Sequence, residues 1–264
     1  MSILKKPLID VIFASEKRKG VLLLLQNGPR QMEDILKSLD TTRQSLLPQI
    51  RILEEHYLIS HFDDSYGLTK IGKLVAERIP PLVETSETLD IDIDYWGTSD
   101  LNFIPSHLAD TISMLKRCSI LTPKLSDSYN ENFQFHDASK ISHSVYVMTE
   151  FLFPNYMELF NDLVSNDVNI HFIISSSLYN KLKSHGNSEL NQIIQHKRAN
   201  FYTYVGKVGF LSFGLNDYYI IMRLLRTDSK SNVSFIWCNS SNALEWGKAL
   251  FEYYLKDSTP ITGL

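Results

Sequence analysis

The chain's 264 residues are 44% hydrophobic and carry a formal charge of -4, which allows two packed domains and excludes a surface that is basic all over, since non-specific nucleic-acid affinity comes from Lys and Arg neutralising phosphates. Any DNA contact must therefore be local. Two cysteines, Cys118 and Cys238, lie far apart without a CxxC partner, so neither a disulfide framework nor a cysteine zinc site is expected, and a reducing, cytoplasmic setting fits.

The apolar stretch at 7–14 is broken by Asp10, is too short to span a bilayer and lacks a small-residue cleavage signal, so no export signal and no membrane association are expected. Residues 8–26 show helical periodicity, with Ser15 able to cap the second part; Asn27, Gly28 and Pro29 then stop the helix. A second helix is predicted over 31–39, burying Met32, Ile35, Leu36 and Leu39. After Asp40, Thr41 and Thr42, a third carries Leu46, Ile50 and Leu53 as one apolar stripe. Pro48 falls inside that third helix, where it removes a backbone donor, so the helix either starts late, near Gln44 or Ser45, or is kinked. Residues 57–62 and 66–68 read as a hairpin around Asp63, Asp64 and Ser65, and Thr69 caps a further helix bearing Ile71, Leu74, Val75 and Ile79.

Helix, helix, helix, hairpin, helix is the order of a winged helix-turn-helix, whose recognition helix reads base edges in the major groove. Thr42, Arg43, Gln44, Ser45, Gln49 and Arg51 supply the donors and acceptors for that reading. The acids at the wing tip repel phosphate, which leaves Tyr66 and His61 as the wing residues able to approach the backbone. The first eighty residues hold only a modest excess of cations.

Pro80 and Pro81 end or kink the fourth predicted helix, and an acid-rich, partly helical connector follows. We expect domains at 1–80 and 106–264, with a linker or dimerisation helix over 81–105. In the second domain a helix is expected over 105–117 and a polar loop over about 124–133. Strands are expected at 144–148, 168–175, 200–205, 208–213, 218–225 and 233–238, with helices at 154–165, 177–183, 188–196 and 241–256. The fold class is thus α+β: a winged helix followed by an α/β domain with a mixed sheet.

The runs IRILEEHYLI (50–59) and YGLTKIGKL (66–74) resemble the recognition-helix end, wing and next helix of archaeal ArsR-like winged-helix regulators, with Leu68, Thr69 and Gly72 as an LT-x-x-G element. Metal-sensing members of that group carry cysteines near this helix, and none stands here. The element ALEWGKALFEYY (243–254), with Tyr95, Trp96, Gly97 and the Ile104–Pro105 step, resembles a family of methanogen regulators that includes those specific for methanol methyltransferases. That resemblance implies a winged helix before an α/β sensor-like domain laid out like the phospholipase-D fold but lacking its catalytic motif.

Consistent with that, residues 95–264 contain no H-x-K with a following acid, no G-x-S-x-G, no P-loop and no H-E-x-x-H. Neither catalysis, nor a cofactor, nor a metal is expected. Trp96, Tyr218, Arg223, Trp237 and Trp246 are candidate lining residues of an effector pocket, the aromatics offering apolar area and Arg223 a charge for an anionic group. Taken together, the sequence predicts a homodimeric regulator of double-stranded promoter DNA, responsive to a small molecule or a partner. Two other classes remain open: a phosphodiester-processing enzyme targeted by its winged helix, which needs converging His and Lys side chains, and a protein-interaction adaptor.

Overall fold

The computed structural model describes residues 6–123, 133–152, 156–186, 188–227 and 233–264. The chain divides into two compact units, Met1–Glu84 and Thr85–Leu264.

The first unit begins with α1 (Leu8–Phe13) and α2 (Glu16–Leu25), which the sequence suggests as one periodic run but which break at Ala14 and Ser15. A two-residue strand β1 (Arg30–Gln31) leads into α3 (Met32–Ser38), and α4 (Arg43–Glu55) follows a tight turn through Asp40, which has a φ of 44°. The wing is β2 (Ile59–Phe62) and β3 (Ser65–Leu68), with β1 added on the other side of β3. After it come α5 (Lys70–Ala76) and α6 (Ile79–Leu89). The core joins Val21, Leu22 and Leu25 of α2, Ile35 of α3, Leu46, Ile50 and Leu53 of α4, and Leu58. Each such aliphatic side chain, buried from water, stabilises the unit by roughly 1.5–3 kcal/mol.

Two local devices close this unit. The Thr69 hydroxyl accepts from the Gly72 amide at 2.9 Å and caps α5, and a Cβ on Gly72 would lie 1.8 Å from the Leu58 carbonyl oxygen. The LT-x-x-G element is therefore the packing seam between wing and helix. Pro80 and Pro81 do not end α5, which stops at Ala76; they sit in the first turn of α6, where a missing amide costs no intrahelical bond.

The second unit is a mixed sheet of eight strands flanked by helices. Its strands are β4 (Ser119–Leu121), β5 (Ser144–Thr149), β6 (Asn169–Ser175), β7 (Ala199–Tyr204), β8 (Phe210–Leu215), β9 (Ile220–Leu224), β10 (Phe235–Cys238) and β11 (Ser258–Ile261). They lie in the order β11-β7-β6-β5-β8-β9-β10-β4. The adjacent pairs β5–β6 and β6–β7 are parallel, and each is joined by the helical crossover that parallel neighbours need: α10 (Tyr156–Ser165), then α11 (Ser176–His185) with α12 (Ser188–Ile194). These helices bury Leu159, Phe160, Leu163, Leu190 and Ile193 against Val145, Val147, Ile170, Phe172 and Phe201 on one sheet face.

The opposite face is covered by α13 (Ser241–Lys256), whose Trp246, Leu250, Phe251 and Tyr254 pack on Met148, Ile173, Phe213, Ile220, Met222 and Ile236. The Trp246 indole donates to the Leu108 carbonyl at 3.0 Å, and the Tyr254 hydroxyl donates to the Phe103 carbonyl at 2.9 Å. A Cβ at Gly247 would come within 2.6 Å of Ile220. The aromatic C-terminal element is thus a core helix tied to the segment before β4.

Part of the segment expected as a linker or dimerisation helix over 81–105 lies in the core of the second unit. Tyr95 and Trp96 of α7 (Ile93–Thr98), with Phe103, belong to the main core of the second unit. In place of one helix over 105–117 there are α8 (Ser106–Ala109) and a 3-10 turn, Ile112–Leu115. The expected polar loop falls on 124–132, outside the described residues, and α9 (Phe133–Lys140) follows it. The disulfide expectation is also corrected: Cys118 and Cys238, 120 residues apart, are joined as a disulfide. Sequence spacing says nothing of this, because the sheet makes them neighbours.

Candidate nucleic-acid interface

In the first unit α4 has one apolar and one polar face. Leu46, Ile50 and Leu53 turn inward, so helical geometry sends Arg43, Gln44, Pro48 and Arg51 outward, and all four are exposed. The helix starts at Arg43, with Thr42 as N-cap, so Pro48 stands in its second turn and the late start is ruled out. Having no N–H, Pro48 leaves the Gln44 carbonyl without its usual i+4 partner. Since both residues face solvent, water or a ligand donor can satisfy that oxygen.

The remaining predicted residues fall in different settings. Ser45 is half-buried and engaged: its Oγ accepts from Lys17 Nζ at 2.9 Å, lies 2.9 Å from Thr41 Oγ1, and donates to the Thr42 carbonyl at 3.1 Å. Gln49 is half-buried on the flank of the helix. Tyr66 is 8% exposed, packed in the core with its ring stacked on His61 at 4.5 Å. Burial, then the nearby Glu54 carboxylate, pushes its phenol pKa up, so the hydroxyl stays neutral. Arg43 reaches Glu33 of α3 at 3.4 Å, an exposed pair worth at most about 1 kcal/mol; a phosphate or guanine edge can compete for that guanidinium.

Sequence reading missed Lys17. It lies on α2, twenty-eight residues before Ser45, and only the packing of α2 on α4 brings its cation to the start of the recognition helix. The wing tip explains its own acids: Asp63 and Asp64 have φ of 47° and 60°, the left-handed pair that a two-residue hairpin turn requires and that Asp tolerates better than most residues.

The five candidate effector residues do not line one cavity. Trp96 and Trp246 are buried on the α13 side of the sheet, whereas Trp237 packs with Phe135, Ile221 and Phe235 on the other side, where the Arg223 guanidinium lies 5.2 Å from the Phe235 ring. Tyr218 is exposed in the turn before β9. The sheet separates them because strand residues alternate between faces. Of the two described clefts, one of about 580 Å³ is lined by Gln26, Leu68, Lys73, Glu77, Pro80 and Pro81, and one of about 280 Å³ by residues including Ser113, Lys116, Arg117 and Ser240. Neither contains any of the five.

A His and Lys juxtaposition does occur. Asp162 of α10 lies 2.9 Å from His136 Nε2 and 3.6 Å from Lys140 Nζ, both on α9. It ties two surface helices together, and neither described cleft opens on it. Among the described residues no three His, Cys, Asp or Glu side chains gather as a metal site, and no helix is long and apolar enough to cross a membrane.

Residues 6–86 match the N-terminal domain, and residues 132–257 the middle domain, of the methanogenesis regulatory protein FilR1. The methanogenesis regulatory protein FilR1 of Methanothrix harundinacea (strain 6Ac) is 22% identical over 256 residues, which is 95% of this chain but 57% of that protein, so the chain spans little more than half of its FilR1 relative. Among solved structures, the archaeal chromatin protein TrmBL2, described as showing a novel mode of DNA binding, aligns at TM-score 0.44 and 11% identity, covering 94% of each chain. The phospholipase D family member Nuc from Salmonella typhimurium aligns at TM-score 0.39 and 11% identity, covering 55% of this chain and 98% of its own. The FilR1-type N-terminal match takes in all of α1–α5 and the wing, and the middle-domain match runs from the start of α9 through α13.

Proposed function

We propose that this chain is a DNA-binding transcription regulator of methanogenesis genes that reads operator DNA through α4 as a homodimer, with its second unit as the regulatory domain. The observation that carries the reading is the outward face of α4: Arg43, Gln44 and Arg51 stand exposed on a helix whose opposite face is fully buried, within a FilR1-type N-terminal domain. Arg and Gln are the side chains that pair bidentately with guanine and adenine edges in the major groove. Lys17 and Thr42, at the start of the helix, suit phosphate contacts that position it.

One recognition helix covers too few base pairs for useful selectivity, which favours a two-fold dimer on a palindromic site. Leu74 of α5 and Leu82 of α6, 70% and 50% exposed, offer apolar area for such a dimer contact. The resemblance to ArsR-like and methanol-methyltransferase-specific regulators makes methyltransferase operons the first targets to try. An effector of the second unit would act by binding one arrangement of the dimer better than another.

The test is fluorescence anisotropy of the chain on its own promoter DNA and on scrambled DNA across a salt series. Arg43→Ala or Gln44→Ala should each cost roughly tenfold or more in specific affinity, while Lys17→Ala should weaken both DNAs alike and reduce the salt slope by about one. Full sequence-specific binding by both the Arg43 and Gln44 variants would remove α4 as the reader. Unchanged affinity across a panel of small metabolites would count against a small-molecule effector, and a monomer in sedimentation against the dimer.

A further inference from the structure

The sheet places the chain's two cysteines opposite one another at its last strand pair. In the β4–β10 ladder Trp237 faces Ser119, Ile236 faces Ile120 and Phe235 faces Leu121, so the same antiparallel register sets Cys238 against Cys118. Their Cα atoms are 4.4 Å apart, the spacing of a close cross-strand pair, and both side chains are buried, at 6% and 2% exposure.

What this pair holds is weak without it. Among the described residues β4, three residues long, is the outermost strand and pairs with β10; Ser119 and Leu121 are exposed. Beyond the ladder, the Thr122 and Ser234 hydroxyls meet at 2.8 Å at this edge. Cys238 Sγ lies 3.6 Å from the hydroxyl of Ser240, the N-cap of the 16-residue helix α13.

We propose that Cys118 and Cys238 form a reversible redox switch that staples β4 to the sheet when oxidised and frees it to open, baring the edge of β10, when reduced. Fraying of the edge strand exposes Cys118, whose thiolate attacks one sulfur of a low-molecular-weight disulfide and expels the first small thiol. The Cys238 thiolate then attacks Cys118 in that mixed disulfide, the Cys118–Cys238 bond forms and the second small thiol leaves. The protein loses two protons and two electrons, and the small disulfide gains them as two thiols. This inference rests on the strand pairing alone and is independent of the DNA-binding reading.

The test equilibrates the full chain in mixtures of oxidised and reduced dithiothreitol, quenches with acid, tags free thiols with a maleimide and reads intact mass. Hydrogen exchange and melting are recorded at both extremes. The expected result is one transition between species with no tag and with two tags. On reduction, exchange at residues 119–121 should accelerate by roughly tenfold or more, and Tm should fall by about 10 °C, as for opening a long cross-linked loop. Cys118→Ala/Cys238→Ala should behave as the reduced form in every buffer; the mass-tag titration needs no variant and stands if this one fails to fold. Two tags at every oxidant ratio, a bond that reduces only in denaturant, or identical exchange at 119–121 in both states would each overturn the switch.

Discussion

Gly72 shows how a single hydrogen in place of a methyl group fixes a domain. The Thr69 cap brings the first turn of α5 against the residue that precedes β2, and the Leu58 carbonyl occupies the space of a Gly72 side chain. The obstacle is backbone rather than a flexible side-chain tip, so Gly72→Ala must shift the helix or break the cap. We expect a loss of about 3 kcal/mol or more from the first unit, read by urea denaturation followed by circular dichroism. His171 works through charge instead. Burial, and then the Lys248 cation, hold its pKa below the ordinary value of 6.5; its ring stacks on Tyr146, and Lys248 Nζ lies 3.5 Å from the centre of that same ring. The folded chain thus keeps His171 neutral where the unfolded chain already binds a proton. Its contribution to stability is complete above about pH 6.5 and is lost as the pH falls through the depressed folded value. Lys248→Met should move the imidazole titration upward in NMR without restoring it fully, because the burial remains. An unmoved titration would show that the cation has no part in the shift.

At the scale of elements, the wing and the recognition helix each contain residues that look wrong for DNA until their backbone is considered. Asp63 and Asp64 repel phosphate, yet both occupy left-handed backbone that only Gly, Asn and Asp adopt readily. Asp63→Asn/Asp64→Gly keeps that geometry and removes two negative charges. It should retain the melting temperature and tighten DNA binding severalfold at low salt, with the gain fading as screening increases. A gain that persists unchanged at high salt would point to a new contact instead of relieved repulsion. Periodicity located α4, its apolar stripe and its polar face, because those depend on neighbours three and four residues away. It could not choose between a late start and an interior proline; Thr42 as N-cap and the buried Leu46 settle that choice. Lys17 was illegible for the same reason in reverse, since its partner Ser45 lies on another helix.

For the whole molecule, the division into two compact units carries a thermodynamic consequence. Each has its own core, one around α2 and α4 and the others on the two faces of the large sheet. Calorimetry should resolve two transitions, with Gly72→Ala lowering one of them. Asn216→Ala should lower the other, because the buried Asn216 amide donates to the Phe135 carbonyl and Ser139 hydroxyl while accepting from the Tyr218 and Tyr219 amides. A single transition that moves with both variants would mean that the units fold as one.

The sequence by itself determined the winged order of elements, the polar helix face, the strands β5 to β10 and the core helix α13, because hydrophobic period, caps and turn residues act over a few positions of the chain. Tertiary structure alone decided the pairing of Cys118 with Cys238, the absorption of Tyr95 and Trp96 into the second core, the place of Lys17 beside α4, and the scattering of the supposed pocket residues, four across two faces of a sheet and Tyr218 in a turn. Those outcomes depend on helix packing, strand order and register, which join residues from 28 to more than a hundred positions apart and leave no local mark in the sequence.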